Sequence, residues 1–354
     1  MKYLFLNSAR RWGGNERWTA LAAQGLAVRN EVFFAYRKME IGSRFDVPKY
    51  RLPFWNELDM LSISRLIFLI KKHHIDILIP TKRKDYVLAG FAAKAMGKKN
   101  VLRLGIERSI KNTWTNRLVY NSLCDGIIVN AEVIKNRLVQ SGFIPPEKIR
   151  IIYNGIDFPA LQEKAKLKNG FIKPYDFTIA AMGELSRRKR MDLLLRAFSV
   201  LKKKDKSSIP WGALIVGSGR EKEKLSKLAL DLEISDQVIF TGFLDNPYPL
   251  IDKCDVFVHT SKTEGIPNSM LEAMALKKPI ITTGFGAAQE VVRNGSNGYL
   301  LKQGNAEELA DRLIKLINDQ NTRRSIAKEG YHSVKRMFSM ERMVGEIEDF
   351  CSQI

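Results

Sequence analysis

Twelve short apolar runs punctuate the chain, six in each half, with amphipathic stretches between them. KYLFL, EVFFAY, IDILIP, NVLRLG and DGIIVN have the length and the β-branched and aromatic content of buried strands, and IRIIYNGID at 149–157 closes the first set. FTIAAMG, GALIVGSG, VIFTGF, VFVHTS, PIITTG and GYLL form the second set. Segments such as 18–28 and 61–72 repeat apolar residues at helical spacing. Strands alternating with helices predict parallel sheets covered on both faces, so two doubly wound, Rossmann-like α/β domains are expected. The polar, Lys-rich stretch PALQEKAKLKNGFIKPYD (159–176) reads as a linker between a first domain at 1–158 and a second at 177–336. A helical tail at about 337–354 follows without another strand.

A length of 354 residues suits two domains, and 45% hydrophobic with 27% charged residues is an ordinary globular composition. The apolar run at 3–6 is too short for a signal peptide, and no window approaches 18 uninterrupted apolar residues, so no membrane span is expected. Cys124, Cys254 and Cys351 are scattered, odd in number and without metal-ligand spacing, which points to a reducing cytoplasm. The net charge is +20, of which +14 falls in residues 1–160 and +6 in the rest. Such an excess either aids solubility or attracts a polyanion: nucleic acid, acidic lipid or a phosphorylated glycan.

Doubly wound domains bind ligands at the carboxyl ends of their strands, so chemistry is sought in the loops after strands and in the crevice between the halves. SKTEGIPNSMLEAMALKKP (261–279) follows one such strand. Pro267 precedes Asn268, a good N-cap, and NSMLEAMAL has helical spacing. The amides of Ser269 and Met270 are then expected to face an anion such as a diphosphate. Carboxylates flank this helix start, Glu264 before it and Glu272 about one turn inside. They suit sugar hydroxyls, although Glu272 alone could simply complement the helix dipole.

EGIPNSMLEAMALKKPIITTGFGAAQEVVRNGSNGYLL resembles the E-x7-E region of family four of the retaining glycosyltransferases, which have the GT-B fold. GGNERWTALAAQGL at 13–26 resembles that family's first loop and helix, and IIYNGID its interdomain strand and turn. MGELSRRKRMDLLLRAF, LIVGSG and VIFTGFLDN follow in the family's order. The resemblance implies that Glu264 contacts the donor sugar near the reacting centre and that Glu272 holds the nucleotide ribose. It implies that Gly265, Ile266, Pro267, Asn268 and Ser269 line sugar and phosphates. Lys189 would neutralise the departing diphosphate, and Gly13 and Gly14 would let the first loop approach the phosphates. An ordinary strand-to-helix turn also accounts for the two glycines.

The chain departs from the family twice. Glu184 stands where an Arg is usual, so Arg188 is expected to supply the second positive charge, while Arg187 and Arg190 read as a solvated basic loop. VLRLGIERS lacks the His that many relatives carry after the fourth strand, and Arg103 or Glu107 is the candidate for that acceptor-side position. His73, His74, His259 and His332 have no catalytic context. A dinucleotide oxidoreductase would need G-x-G-x-x-G, which GSGREK does not complete. The same pattern of strands and charge would also suit a GT-B epimerase, a phosphorylase needing a pyridoxal-phosphate lysine, or a non-enzymatic basic nucleotide- or polyanion-binding protein.

The expected activity is retaining transfer from a nucleotide-diphosphate sugar, UDP-linked by preference, to a glycan or glycolipid of the cell envelope. No metal, cofactor or nucleic acid is called for. The basic first half, with KRK at 82–84 just after a strand, predicts a peripheral enzyme on the cytoplasmic face of the inner membrane.

Overall fold

The computed structural model describes residues 1–167, 173–262, 265–284, 287–302 and 305–354. It divides into two compact units, one of Met1–Gly155 with Phe338–Ile354, the other of Ile156–Met337.

The first unit is built on seven parallel strands in the order β3-β2-β1-β4-β5-β6-β7. They are β1 (Lys2–Asn7), β2 (Glu31–Tyr36), β3 (Lys49–Arg51), β4 (Ile77–Pro80), β5 (Lys99–Leu104), β6 (Gly126–Val129) and β7 (Ile149–Ile151). Helices α1 (Gly14–Ala27), α2 (Met39–Gly42), α3 (Met60–His73), α4 (Arg83–Ala95), α5 (Trp114–Arg117) and α6 (Glu132–Val139) connect them. Tyr3, Phe5, Phe34 and Ile79 face one core, and Leu4, Leu6, Ala35 and Leu78 face another on the opposite side. That division is the period-2 alternation of a strand buried on both faces. Strand β3, KYR, is an edge strand that no apolar run announced; Lys49 pairs in register with Phe34.

The second unit begins with α7 (Phe158–Lys166) and carries six parallel strands in the order β10-β9-β8-β11-β12-β13. These are β8 (Phe177–Met182), β9 (Trp211–Val216), β10 (Val238–Gly242), β11 (Val256–His259), β12 (Ile280–Thr283) and β13 (Tyr299–Leu301). Its further helices are α8 (Met191–Lys204), α9 (Lys222–Asp231), α10 (Tyr248–Lys253), α11 (Asn268–Ala275), α12 (Ala288–Val291), α13 (Ala306–Asn318) and α14 (Gln320–Met337). The start of the segment read as a linker is thus helical. Asp157 caps it, accepting from the Ala160 amide at 2.9 Å, and Pro159 lies in its first turn.

A single helix forms the tail. After α14 the chain breaks at Phe338–Ser339, and Ser339 caps α15 (Met340–Gln353). Helix α15 belongs to the first unit and lies against α1. The approach depends on Gly25: a Cβ there would come 2.4 Å from Val344 Cγ2.

Candidate active site

Within the second sheet the strand order reverses between β8 and β11, the position where doubly wound sheets place ligands. The loops leaving these two strands are bonded to each other. Thr260 Oγ1 donates to the Lys189 carbonyl at 2.7 Å, and the Lys262 amide donates to the Arg188 carbonyl at 3.0 Å. The loop after β11 therefore fixes the 3-10 turn Arg187–Lys189.

Lys189 is 9% exposed and lies over Gly183; a Cβ at Gly183 would sit 2.9 Å from Lys189 Cε and 3.3 Å from its Nζ. Arg188 is half-buried, while Arg187 is exposed and 3.9 Å from Glu221. Arg190 takes a left-handed φ of 52° at the turn into α8 and lies 3.7 Å from Asp192. Glu184 is exposed.

Behind this loop runs the one after β9. The Leu185 amide donates to Ser218 O at 3.0 Å and the Glu221 amide to Leu185 O at 3.1 Å. Gly217 has φ 138°, and a Cβ on it would lie 2.0 Å from the Gly183 carbonyl oxygen. A Cβ on Gly219 would lie 2.3 Å from the Leu185 carbonyl. These glycines make room for the loop that carries Lys189, which gives GSG a packing reason.

Gly265, Ile266 and Pro267 are buried and lead into α11. The N-cap is Pro267, with Asn268 the first helical residue and no side-chain cap, which corrects the expected role of Asn268. The amides of Met270 and Leu271 both donate to the Pro267 carbonyl at 3.2 Å. The Met270 amide is thus engaged, whereas the Ser269 amide has no backbone partner among the described residues. Glu264 and its neighbour Thr263 lie outside the described residues.

Glu272 is 4% exposed on α11, and the Tyr248 hydroxyl donates to its Oε2 at 3.4 Å. A carboxylate that merely answered the helix dipole would stay in water, because burying it costs more than the dipole returns. Tyr248 comes from α10, and nothing in the sequence tied it to a glutamate 24 positions on. Ser261, at the mouth of β11, has a buried Oγ with no partner among the described residues. His259 is buried at the end of β11, with Nδ1 3.2 Å from Thr282 Oγ1.

The first sheet reverses between β1 and β4, and a buried polar cluster occupies their carboxyl ends. Gly13, in the N-cap position of α1, is extended at φ −163°, a conformation open to any residue. What limits it is Glu16, whose Oε2 would lie 3.1 Å from a Cβ there. Gly14 begins the helix. Glu16 is buried and bonded to Lys82 at 2.6 Å and to Asn7 Nδ2 at 3.2 Å. Asp85 accepts from the Ser8 amide at 2.9 Å. Its burial pushes the carboxyl up to about 6 against the pull of Ser8, Lys82 and Lys84.

Arg103 is buried on β5, with its guanidinium 4.5 Å from the Trp18 ring centroid. It donates to Asn15 Oδ1 at 2.6 Å and Asn154 Oδ1 at 3.2 Å, and burial draws it down to about 10. Since Asn15 also donates to the Thr81 carbonyl at 2.8 Å, Arg103 holds the start of α1 against the end of β4. Glu107 instead pairs with Arg137 at 3.1 Å.

The KRK run is tied inward rather than displayed. Lys82 is bonded to Glu16, Arg83 donates to Asn116 at 3.1 Å, and Lys84 donates to the carbonyls of Phe54 and Trp55 at 2.8 and 3.2 Å. Asp85 and Glu16 were readable only as odd charges on otherwise apolar helix faces.

Two doubly wound units with charged loops at their switch points define a GT-B transferase fold. The chain belongs to the family-four, group 1 glycosyltransferases and is a glycosyltransferase. The family described as "Glycosyl transferases group 1" matches residues 162–333, and "Glycosyltransferase Family 4" matches residues 12–158. An uncharacterized glycosyltransferase of Haemophilus influenzae is 30% identical over 328 residues, 87% of each chain. The lipopolysaccharide core biosynthesis glycosyltransferase LpsE of Rhizobium meliloti is 28% identical over 331 residues, 93% of each chain. The crystal structure of Anabaena HepE in complex with UDP superposes with a TM-score of 0.85 over the whole of both chains at 22% identity. Among the described residues no helix is long and apolar enough to cross a membrane.

Proposed function

We propose that the chain is a retaining glycosyltransferase that moves a sugar from a UDP-sugar to a glycan or glycolipid acceptor, in cytoplasmic assembly of a cell-envelope polysaccharide or lipopolysaccharide. The observation that carries the reading is the bonded pair of loops at the β8/β11 switch point. It sets the Lys189 turn against the approach to α11, with buried Glu272 one turn further on. The names of the Rhizobium relative and of the UDP-bound neighbour support the acceptor class and the donor base.

In this reading the Ser269 amide and the backbone of Gly265, Ile266, Pro267 and Asn268 line the diphosphate and sugar, and Glu272 grips the ribose. Glu264 accepts hydrogen bonds from the donor sugar beside the anomeric carbon. As the glycosidic bond to the diphosphate breaks, negative charge grows on the leaving oxygen. Lys189 and Arg188 meet that charge in place of a metal, and the leaving phosphate takes the acceptor proton. Gly13, Gly14 and the Glu16–Lys82 cluster belong to the unit that takes the acceptor. Arg103 acts there as a positioning residue for α1. Glu107, paired with Arg137, has no part in this scheme.

A panel of labelled sugar nucleotides tests the donor, and proton NMR of the product's anomeric signal tests retention. Glu264→Gln is expected to lower kcat by roughly 100-fold or more with donor affinity less affected. Near-normal turnover in that variant, or an inverted product, would overturn the assignment.

A further inference from the structure

On the first unit a cavity of about 360 Å³ opens at the carboxyl ends of β2 and β3. Arg37, Lys38, Arg51 and Arg65 line it together with Leu52 and Trp55. No carboxylate lines it, and none of the four cations has an acidic partner among the described residues. The charge of Arg37 is felt by its neighbour: burial, then Arg37, pulls the Lys84 ammonium below its ordinary value. Glu57, the exposed acid of the adjoining loop, lies 4.0 Å from Arg83 instead.

The loop and helix that supply Trp55 and Arg65 to the cavity also expose large apolar side chains. Trp55 is 64% exposed, Leu58 70%, Met60 69% and Phe68 61%. Met60, Leu61, Arg65, Phe68 and Lys72 share the outward stripe of α3, at offsets of one, five, eight and twelve from Met60. The loop that presents Trp55 and Leu58 is held in place. Asp59 accepts from the amides of Trp55 at 2.9 Å and Ser62 at 3.1 Å, and Ser62 Oγ accepts from the Phe54 amide at 3.0 Å. Apolar groups fixed outward on an ordered loop, interleaved with unpaired cations, form a surface built for a partner.

We propose that this face docks the protein on an anionic lipid bilayer. Helix α3 lies at headgroup level, Met60, Leu61 and Phe68 enter the acyl boundary, and a lipid phosphate occupies the four-cation cavity beside Trp55. Charge complementarity selects the bilayer over a protein partner. Arg, Met and aromatic side chains also suit a protein interface, but four cations with no carboxylate among the lining residues call for a strongly anionic surface, and an anionic bilayer takes apolar and cationic groups together. The surface replaces Lys82–Lys84 as the basis of membrane recruitment. It rests on the function proposed above only in that the acceptor is lipid-linked.

Flotation of the full chain tests it, using vesicles of phosphatidylcholine alone or with about one-third phosphatidylglycerol. Binding is expected on the anionic vesicles only, and should weaken steeply by about 0.5 M salt. Arg37→Ser with Arg51→Ser should lower partitioning about 25-fold, taking about fivefold for each cation removed. Leu61→Ser with Phe68→Ser should abolish it, while Leu230→Ser, an exposed apolar site on α9, should not change it. Brominated lipid should quench part of the tryptophan emission, and Trp55→Phe should remove that part. Equal flotation with neutral vesicles, unchanged binding by the Arg37/Arg51 variant, or a dimer dispersed by the Leu61/Phe68 variant without vesicle binding would overturn the proposal. Donor hydrolysis in the α3 variants should match the parent, so a failed docking surface stays distinct from a failed transferase reading.

Discussion

Replacing Gly217 by Ala asks whether the second unit needs a bare backbone behind its candidate donor site. With φ at 138° the position lies outside the wells open to L-residues, a strain of about 1–3 kcal/mol. The new Cβ would also sit 2.0 Å from the Gly183 carbonyl oxygen. Ordinary C···O contacts are about 3.3 Å or more, so one backbone must move by over ~1 Å. Overpacking of that kind costs a further ~1–3 kcal/mol. The total, about 2–6 kcal/mol, is a large share of the ~5–15 kcal/mol that holds a domain folded. At about 2–4 °C per kcal/mol for a unit of this size, thermal unfolding should begin roughly 5–20 °C lower. Gly242 supplies the control, since its φ is 75° but nothing lies within 4 Å of an added Cβ. Gly242→Ala should show strain alone, about 1–2 kcal/mol. Calorimetric melts of both variants give the comparison. UDP titration of folded Gly217→Ala should also show weakened binding, because the displaced Gly183 lies beneath Lys189. A Gly217→Ala melt within about 2 °C of the parent, or no lower than Gly242→Ala, would refute the packing argument.

Glu272→Ala should weaken UDP binding in calorimetry by about tenfold or more, and Tyr248→Phe by less, because the carboxylate outlives the loss of one donor. Lys189→Ala should lower both kcat and UDP affinity, and Arg188→Ala should do so more mildly; higher activity in Glu184→Arg with no effect of Arg188→Ala would contradict the substitution of one charge for the other. Asp85 has its pKa raised from 3.8 to about 6, so the folded chain keeps a proton there that the unfolded chain has released. Its contribution to stability is therefore full below about pH 4 and falls as pH rises through about 6, by of order 2–3 kcal/mol. Asp85→Asn keeps an acceptor for the Ser8 amide, so its urea midpoint should gain on the parent between pH 4.5 and 7.5; parallel pH curves would count against the buried charge.

The strands were legible because parallel, doubly covered strands are short unbroken apolar runs, and all twelve such runs became strands. The exception, β3, is an edge strand of three residues whose Lys49 and Arg51 are exposed, so it has no apolar run to read. The helix at Phe158–Lys166 was hidden for the same kind of reason: Leu161 and Ala165 alone of its residues are buried, so its signal was capping by Asp157 rather than hydrophobic periodicity. Of the site, the loops were legible and their partners were not. Lys189 lies over Gly183 of its own loop, but the partners that fix Lys189 and Glu272, Thr260 and Tyr248, come from elements distant in sequence. The inward turn of Lys82 and Lys84 was likewise unreadable, because a basic run looks the same whether its charges meet solvent, Glu16 or backbone carbonyls.

The place of α15 has a consequence for synthesis. Chains emerge amino end first and fold domain by domain, and here the second unit has all its residues before the first does. Until Met340–Gln353 appears, the small-residue surface around Gly25 waits uncovered, with Trp18 and Leu26 in the core beneath. The unit that starts first therefore finishes last. Released chains truncated after residue 339 should hold a protease-resistant second unit beside a still-cleavable first.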